Sequence, residues 1–420
     1  MRKNDSQYDV AIIGAGPSGV MAAISAAQNG ARVVLIDRND NLGRKLLLTG
    51  NSRCNITQAE FDTKKLAEKY GKKGRFLLSS LSAFGADEVV KFFEKNNLKL
   101  KTEKSGKIFP QSDKAGDVLE TLRRCLFENG VTTFFESEVA DMELEGNKIT
   151  KIKLKKGEVI AKNYILSAGG KSYPQTGSTG RGFDLAKKMG HHIISPKPAL
   201  TPIKIKADWL KEAQGISLRG VEISAYQKNK KIFSEIGDLI FTHFGISGPA
   251  VLNISRRIGD LLEKDAVKIK IDIKPELSFE KLDEVLQNDF ENNASKKIGN
   301  CMQDFYSPKL LQLILQIANS DNKKNAANIS REERRMIVKV SKGLEMEVEE
   351  LLGFERAMVT NGGVDLKQVD SKTMQSKIVE NLFFAGEVLD IDGPTGGYNL
   401  QICWSTGYVA GKWAAVKRLS

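Results

Sequence analysis

The stretch Val10-Ala11-Ile12-Ile13-Gly14-Ala15-Gly16-Pro17-Ser18-Gly19, continued by Val33-Val34-Leu35-Ile36-Asp37, decides the fold of this chain. Four apolar residues ending on glycine read as a buried parallel strand. Pro17 suits a first helical turn, Val20 to Ile24 continue an apolar helix, and Gly30 stands where a C-terminal cap belongs. A second strand, Val33 to Ile36, then carries Asp37 at its tip. Gly14 permits the tight turn, Gly16 lets the backbone approach a pyrophosphate, and Gly19 lets helix and strand close up. The free N–H groups at the helix start suit an anion, and Asp37 is placed to accept hydrogen bonds from ribose hydroxyls.

A second glycine-ended strand lies near the other end of the chain, Asn381-Leu382-Phe383-Phe384-Ala385-Gly386-Glu387, followed by Gly396-Gly397. Tyr164-Ile165-Leu166-Ser167-Ala168-Gly169-Gly170 repeats the logic between them. Glu387 is placed to accept from a ribityl chain or neighbouring hydroxyls. A helix beginning near Tyr398 to Ile402 would aim its N–H groups at the N1/O2 edge of a flavin, which becomes negative on reduction. A nicotinamide protein has no general need for this distant second site, so the pair of glycine ends points to bound FAD.

With 420 residues, two or three domains are expected. Hydrophobic content of 41% and charged content of 28% are those of a globular protein, and no apolar run reaches the length of a membrane span. Arg2 and Lys3 ahead of an apolar stretch imitate a signal peptide, but the glycine fingerprint explains that stretch better. A cytoplasmic protein without membrane association is expected. Cys54, Cys125, Cys301 and Cys403 form no CxxC pair, and His191-His192 would point to opposite faces of a strand, so no metal centre is expected. The formal charge is +12, with lysines recurring at 91, 95, 99, 101, 104 and 107, at 151, 153, 155 and 156, and at 228, 230 and 231. Such a surface attracts polyanions.

The order of elements predicts an α/β fold: a discontinuous Rossmann-like FAD-binding domain, 1–194 and 353–420, with an inserted β-rich domain, 195–275, and a small helical domain with a return segment, 276–352. Pro196, Pro198 and Pro202 mark the exit from the first part. Alternation in Val221-Glu222-Ile223-Ser224-Ala225-Tyr226 and Val267 to Ile273 argues antiparallel strands, and Leu310, Leu311, Leu313, Ile314 and Ile317 form one helical face. Helices are also expected over Ala86 to Asn96 and Asp117 to Phe127, and strands at 107–110, 131–135 and 148–154.

Further motifs are GRKLLLTGNSRCN from Gly43 to Asn55, KIFPQSDKA from Lys107 to Ala115, LSAGGKSYPQTGSTGRGF from Leu166 to Phe183 and FTHFGISGPAVLNIS from Phe241 to Ser255. With them stands LFFAGEVLDIDGPTGGYNLQICWSTGYVAG from Leu382 to Gly411. Together with the fingerprint they resemble the BaiN/RdsA family of FAD-dependent oxidoreductases, also called aminoacetone-oxidase-like. The resemblance spans the chain. It implies a discontinuous FAD domain with β-rich and helical insertions. It also implies FAD contacts at Gly14, Gly16, Ser18, Gly19, Asp37, Arg38, Lys45, Asn51, Arg53, Cys54, Val139, Ala168, Gly169, Gly386, Glu387, Gly397, Asn399, Leu400 and Gln401. Ser52 departs from the glycine usual in the family, which puts a backbone contact there in doubt.

Family activities include reduction of a uridine base in ribosomal RNA, reduction of conjugated steroid alkenes and oxidation of a small amino-ketone. The basic balance favours ribosomal RNA as substrate, with a small molecule as the alternative and a non-catalytic flavin-containing RNA-binding factor as a third reading. NAD(P)H is the expected transient donor, although no second GxGxxG unit marks its site. Candidate proton donors are His243, Cys54 and Tyr398, each with a bland alternative as a structural, flavin-wall or packing residue. Arg44, Lys45 and Arg53 are candidate phosphate ligands, for FAD before substrate.

Overall fold

The computed structural model describes residues 7–303 and 305–416, so Arg2 and Lys3 of the signal-like start lie outside the described residues. Two compact units divide the chain: one combines Met1–Ala199 with Ala357–Ser420, and the other is Leu200–Arg356.

The first unit is built on a five-stranded parallel sheet. Its order is Leu382–Phe384, Ala161–Leu166, Tyr8–Ile13 (β1), Val33–Ile36 (β2) and Thr132–Phe134. Register aligns Ile13 with both Ile36 and Leu166, and Leu166 with Phe384. Gly14, Asp37, Ser167 and Ala385 therefore leave the sheet at one common edge, the carboxyl end where open α/β sheets bind ligands. Pro17–Gln28 (α1) follows the first turn and is buried from Ser18 to Ala26. It lies against the last helix, Tyr398–Ala415, at backbone distance: a Cβ at Gly407 or Gly411 would overlap the carbonyl oxygens of Ser18 or Ala22. Small residues on both helices make that approach possible.

A three-stranded antiparallel sheet joins Thr57–Gln58, Lys107–Pro110 and Leu100–Thr102, and a second joins Val139–Glu145, Lys148–Leu154 and Glu158–Val159. Ala86–Lys95 and Ala115–Glu128 are helices. Pro196 and Pro198, read as leaving the domain, fall inside the strand Ile193–Ala199. Among the described residues that strand pairs with Val359–Val364 alone, and the register shifts between Ile194 and Lys197. A two-stranded ribbon with a bulge tolerates prolines that a central strand would not.

The second unit contains a closed six-stranded barrel. Its order is Ile203–Lys206, Gly245–Ser247, Lys230–Phe241, Ser217–Gln227, Lys268–Asp272 and Leu344–Leu351, the last returning to pair with the first. Alternate residues such as Ile223, Ala225, Ile269 and Ile271 fill the interior. One element departs from the sequence reading. Pro249–Leu262 is a helix inside the segment read as β-rich, started by Pro249 after Gly248 at φ 102°. Leu344–Leu351, in the return segment after the helical stretch, is the strand that closes the barrel, its Leu344, Met346 and Val348 inward. Helices Phe279–Asn292, Pro308–Ile317 and Arg331–Lys342 pack into the same hydrophobic core as the barrel. Ser278 caps the first of these, and Ser330 with Glu333 makes a capping box on the third.

Candidate functional site

The common edge of the parallel sheet opens into a cleft lined by the fingerprint and by the loops after the other strands. Its geometry follows from small residues where backbone must meet backbone. Gly14 has φ 104°, and a Cβ there would lie 2.5 Å from the Ser167 carbonyl oxygen. Gly19 meets the Gly14 carbonyl so closely that any side chain would overlap it. Gly16, by contrast, has nothing within 4 Å of its Cβ position, so its free side is open space. No side chain caps α1, and its first turn holds no acidic residue. The orphan N–H groups at that helix start make an anion cradle without a built-in competitor.

Asp37 is engaged by the glycine turn itself. Its Oδ2 accepts from the Ala15 N–H at 2.6 Å and its Oδ1 from the Asn39 N–H at 2.8 Å. The carboxylate thus braces the glycine turn, and its remaining lone pairs can still accept from a ligand hydroxyl. Burial pulls the Asp37 carboxyl above the usual range, against those N–H groups and Arg38. Arg38 donates to Thr179 Oγ1 at 3.1 Å.

Glu387 is likewise engaged within the protein. Lys45 Nζ reaches its Oε2 at 2.9 Å, while Ser172 Oγ and the Thr360 N–H reach Oε1 at 2.9 and 2.7 Å. Lys45 also donates to Ser172 Oγ at 2.6 Å. Four chain segments distant in sequence are tied at one carboxylate beside the cleft.

Of the residues carried over from the resemblance, Gly14, Gly16, Ser18, Asp37, Arg38, Lys45, Val139, Ala168, Gly169 and Glu387 line this cleft. Gly19, Asn51, Arg53, Cys54, Gly386, Gly397, Asn399, Leu400 and Gln401 lie off its lining. Gly386, at φ 75°, packs on Ser18 and donates its N–H to Thr406. Gly397, at φ 97°, has the Thr57 backbone 2.5 Å from its Cβ position. Asn399 holds the turn before it by bonds to Gly393 and Pro394. Gln401 is fully buried between Thr57, Phe84 and Ser405. Arg53 pairs with Glu103 at 2.8 Å and Asp113 at 3.4 Å and covers the Phe109 ring, so its guanidinium is committed within the protein. Asn51, Ser52 and Cys54 all have φ near 60°, and the serine that stands for the usual glycine is therefore in a left-handed conformation.

The candidate proton donors are dispersed. Cys54 is fully buried, and burial pushes its thiol up to about 12. Tyr398 is buried edge-on to Tyr70, whose hydroxyl bonds its carbonyl at 3.0 Å. His243 is exposed beside Phe244 in the second unit. The sequence reading missed Cys403, Thr176, Ser178 and Arg181, all on the cleft wall. Cys403 follows Asn399 by one helical turn, a signal available in the sequence. Several lysines of the runs are paired with acids: Lys91 with Asp87, Lys101 with Asp113, Lys151 and Lys153 with Glu143, Lys155 with Glu138, Lys228 with Asp265 and Lys231 with Glu222.

Among the described residues no helix is long and apolar enough to cross a membrane, and no group of three or more histidine, cysteine or acidic residues has metal-binding geometry.

The family profile described as HI0933-like protein Rossmann domain matches residues 8–413. Over 409 residues, 97% of this chain and 98% of the relative, the sequence is 31% identical to a protein of Clostridium scindens named 3-dehydro-bile acid delta(4,6)-reductase. It is 30% identical over 96% of this chain and 98% of a Haemophilus influenzae protein named ribosomal RNA dihydrouridine synthase. Among solved structures, the 3-ketosteroid-delta4-(5alpha)-dehydrogenase of Rhodococcus jostii superposes with a TM-score of 0.53 at 16% identity, covering 99% of this chain and 98% of that one, which is a likeness of fold.

Proposed function

The chain belongs to the HI0933-like Rossmann-domain family of FAD-dependent oxidoreductases, and from that premise we propose that it reduces the C=C of a uridine in ribosomal RNA to dihydrouridine, using NAD(P)H as transient donor. One observation carries the choice of substrate. Of the 64 Lys/Arg and 52 Asp/Glu, the barrel unit holds 25 and 24, which leaves 39 and 28 in the cofactor unit. Nearly the whole positive excess therefore belongs to the unit with the cleft, where a polyanionic substrate would be held during the reaction. The relative named ribosomal RNA dihydrouridine synthase supports the same reading.

The cleft fits FAD in its donor set: an uncapped helix start faced by glycines, with Asp37, Arg38, Lys45 and Glu387 along the wall. In this reading the α1 N–H groups and Ser18 hold the pyrophosphate, Asp37 fixes the glycine turn and accepts from the ribose, and Val139, Ala168 and Gly169 wall the adenosine half. The remaining family positions, Gly19, Gly386, Gly397, Asn399, Leu400, Gln401, Asn51, Arg53 and Cys54, shape the loops around the rest of the cofactor. When bound, FAD supplies hydride transfer, accepting it from a nicotinamide and delivering it to an electron-poor carbon, while a protein acid adds the proton to the neighbouring carbon. Of the three candidate acids, Cys54 and Tyr398 are buried and His243 is exposed on the second unit.

Mass mapping of ribosomal RNA from cells with and without the protein tests the substrate. A uridine-to-dihydrouridine gain of two hydrogens should vanish at one or more positions on deletion; an unchanged map refutes the RNA reading. The acid-paired lysines favour a second reading, reduction of a small conjugated alkene, which the relative named 3-dehydro-bile acid delta(4,6)-reductase also supports. That reading predicts reoxidation of the NAD(P)H-bleached flavin by a conjugated enone and no effect of added RNA.

A further inference from the structure

The segment 60–75 and one hairpin tip form a surface that the cofactor cleft does not use. Lys64, Lys65, Lys69, Lys72 and Arg75 are all exposed, and none forms an ion pair among the described residues. Their neighbour Lys73 differs: its ammonium sits 2.7 Å from Asp390 and 3.4 Å from Asp392. Of the three acids in the segment, Asp62 is occupied in capping the helix Thr63–Glu68 through the N–H groups of Lys64 and Lys65, which leaves Glu60 and Glu68. Phe61 precedes this cluster in the chain, with 59% of its surface exposed, and shares a surface depression with Thr63, Leu66, Asp87 and Glu88.

Helix stability does not account for these charges. Lys64 and Lys65 occupy the first turn of their helix, which holds no acidic residue, and there the macrodipole disfavours cations. Arg75 repeats this at the start of Gly74–Ala83. Lys91, Lys151 and Lys228, by contrast, each meet a carboxylate.

Its mounting places it beside the loop that leads into the last helix. Tyr70 touches Gly393 and bonds the Tyr398 carbonyl, and Lys73 holds Asp390 and Asp392. On the other side of that loop, Gln58 lies 3.4 Å from the Cβ position of Gly396 and donates to the Ser105 carbonyl of the hairpin tip. The tip carries Lys104 and Lys107, also outside any ion pair among the described residues.

We propose that the unpaired basic face around Lys64, Lys65, Lys69, Lys72 and Arg75, with Lys104 and Lys107 across the Gly396 loop, docks the phosphate backbone of single-stranded RNA, and that Phe61 stacks on one of its bases. Spaced cations without acid partners bind a polyanion by releasing its counterions, and an exposed aromatic ring gives a base a π-face. The inference rests on the RNA reading and adds to it where the strand lies.

The test uses the FAD-bound full chain and a fluorescently labelled, mixed-sequence RNA oligonucleotide, with anisotropy followed as salt rises. K64Q/K65Q/K69Q/K72Q should lower affinity at least about tenfold at low salt and reduce the log–log salt slope by about 3, at roughly 0.7 per phosphate contact. F61A should weaken binding with the slope unchanged. The acid-paired set K151Q/K153Q/K155Q should behave as wild type, and all variants should keep their flavin, their melting temperature and their bleaching by NAD(P)H. Wild-type binding that the quadruple variant retains in full overturns this surface and leaves the substrate reading standing. No RNA binding by the wild type, with patch-dependent binding to phosphatidylserine vesicles instead, overturns the RNA assignment and identifies a lipid-facing surface.

Discussion

Gly407→Ala sets two physical effects of opposite sign against each other. In an exposed helix interior the exchange would stabilise by about 1 kcal/mol, because alanine has the better helix propensity. Here the new methyl would overlap the Ser18 carbonyl oxygen, with the carbonyl carbon at 3.1 Å, on a backbone that α1 holds rigid. Restoring ordinary contact requires the two helices to part by about 1 Å, and overpacking of this kind costs about 1–3 kcal/mol. The net expectation is a loss of up to about 2 kcal/mol, a fall in melting temperature of up to several degrees at about 2–4 °C per kcal/mol for large domains.

Ser18 also lies in the first turn of α1, so the displacement should reach the anion cradle. A misplacement of about 1 Å is enough to cost roughly a hundredfold in rate, and the shifted N–H groups should also hold the cofactor's phosphates less well. Gly411→Ala supplies the comparison: its methyl meets the Ala22 carbonyl, one turn farther from the cleft. Both variants should melt earlier, and only Gly407→Ala should lose FAD affinity strongly when apoprotein is titrated with FAD by fluorescence quenching. A Gly407→Ala protein that melts higher than wild type and binds FAD normally would falsify the close-packing argument.

Lys45→Met should cost about 1–3 kcal/mol in denaturant unfolding of the apoprotein, since it leaves the Glu387 carboxylate with two donors where it had three. Adding Glu387→Gln should recover part of that loss, and strictly additive effects would show the pair to be uncoupled. His191 is buried between the Ala186 carbonyl and Ser376 Oγ, and burial lowers its pKa below the ordinary value. Its contribution is therefore full above about pH 6.5 and is lost as pH falls below that value and through the lowered folded one. His191→Gln should flatten the pH dependence of the melting temperature across that window; an identical slope in both proteins refutes the assignment. Alkylation of the native protein by iodoacetamide at neutral pH should spare Cys54, whose thiol is buried and pushed up to about 12, and mass spectrometry should find it labelled only after unfolding. Ser52→Gly should stabilise slightly, because it relieves a left-handed residue at φ 63°, and a destabilised variant would show that the serine side chain has a role of its own.

What the sequence determined by itself was local and periodic. The β1–α1–β2 unit is legible because apolar runs, glycine turns and a terminal acid lie within thirty residues of one another, and the structure reproduces Val33–Ile36 and the helix from Pro17 as read. The second glycine end was legible for the same reason, as a strand running directly into Gly386 and Glu387. Tertiary structure decided what depends on partners far apart in the chain. Leu344–Leu351 becomes a barrel strand because Ile203–Lys206 and Lys268–Asp272 both offer it open edges. Glu387 is an internal anchor because Lys45, Ser172 and Thr360 converge on it. The charge pattern divides in the same way: a lysine run reads alike in sequence whether or not it meets carboxylates, and only the fold distinguishes Lys151 beside Glu143 and Glu158 from Lys64 and Lys65, which form no ion pair among the described residues. Propensity and spacing act over one or two turns, whereas Coulomb pairing and strand closure act across any separation the fold brings together.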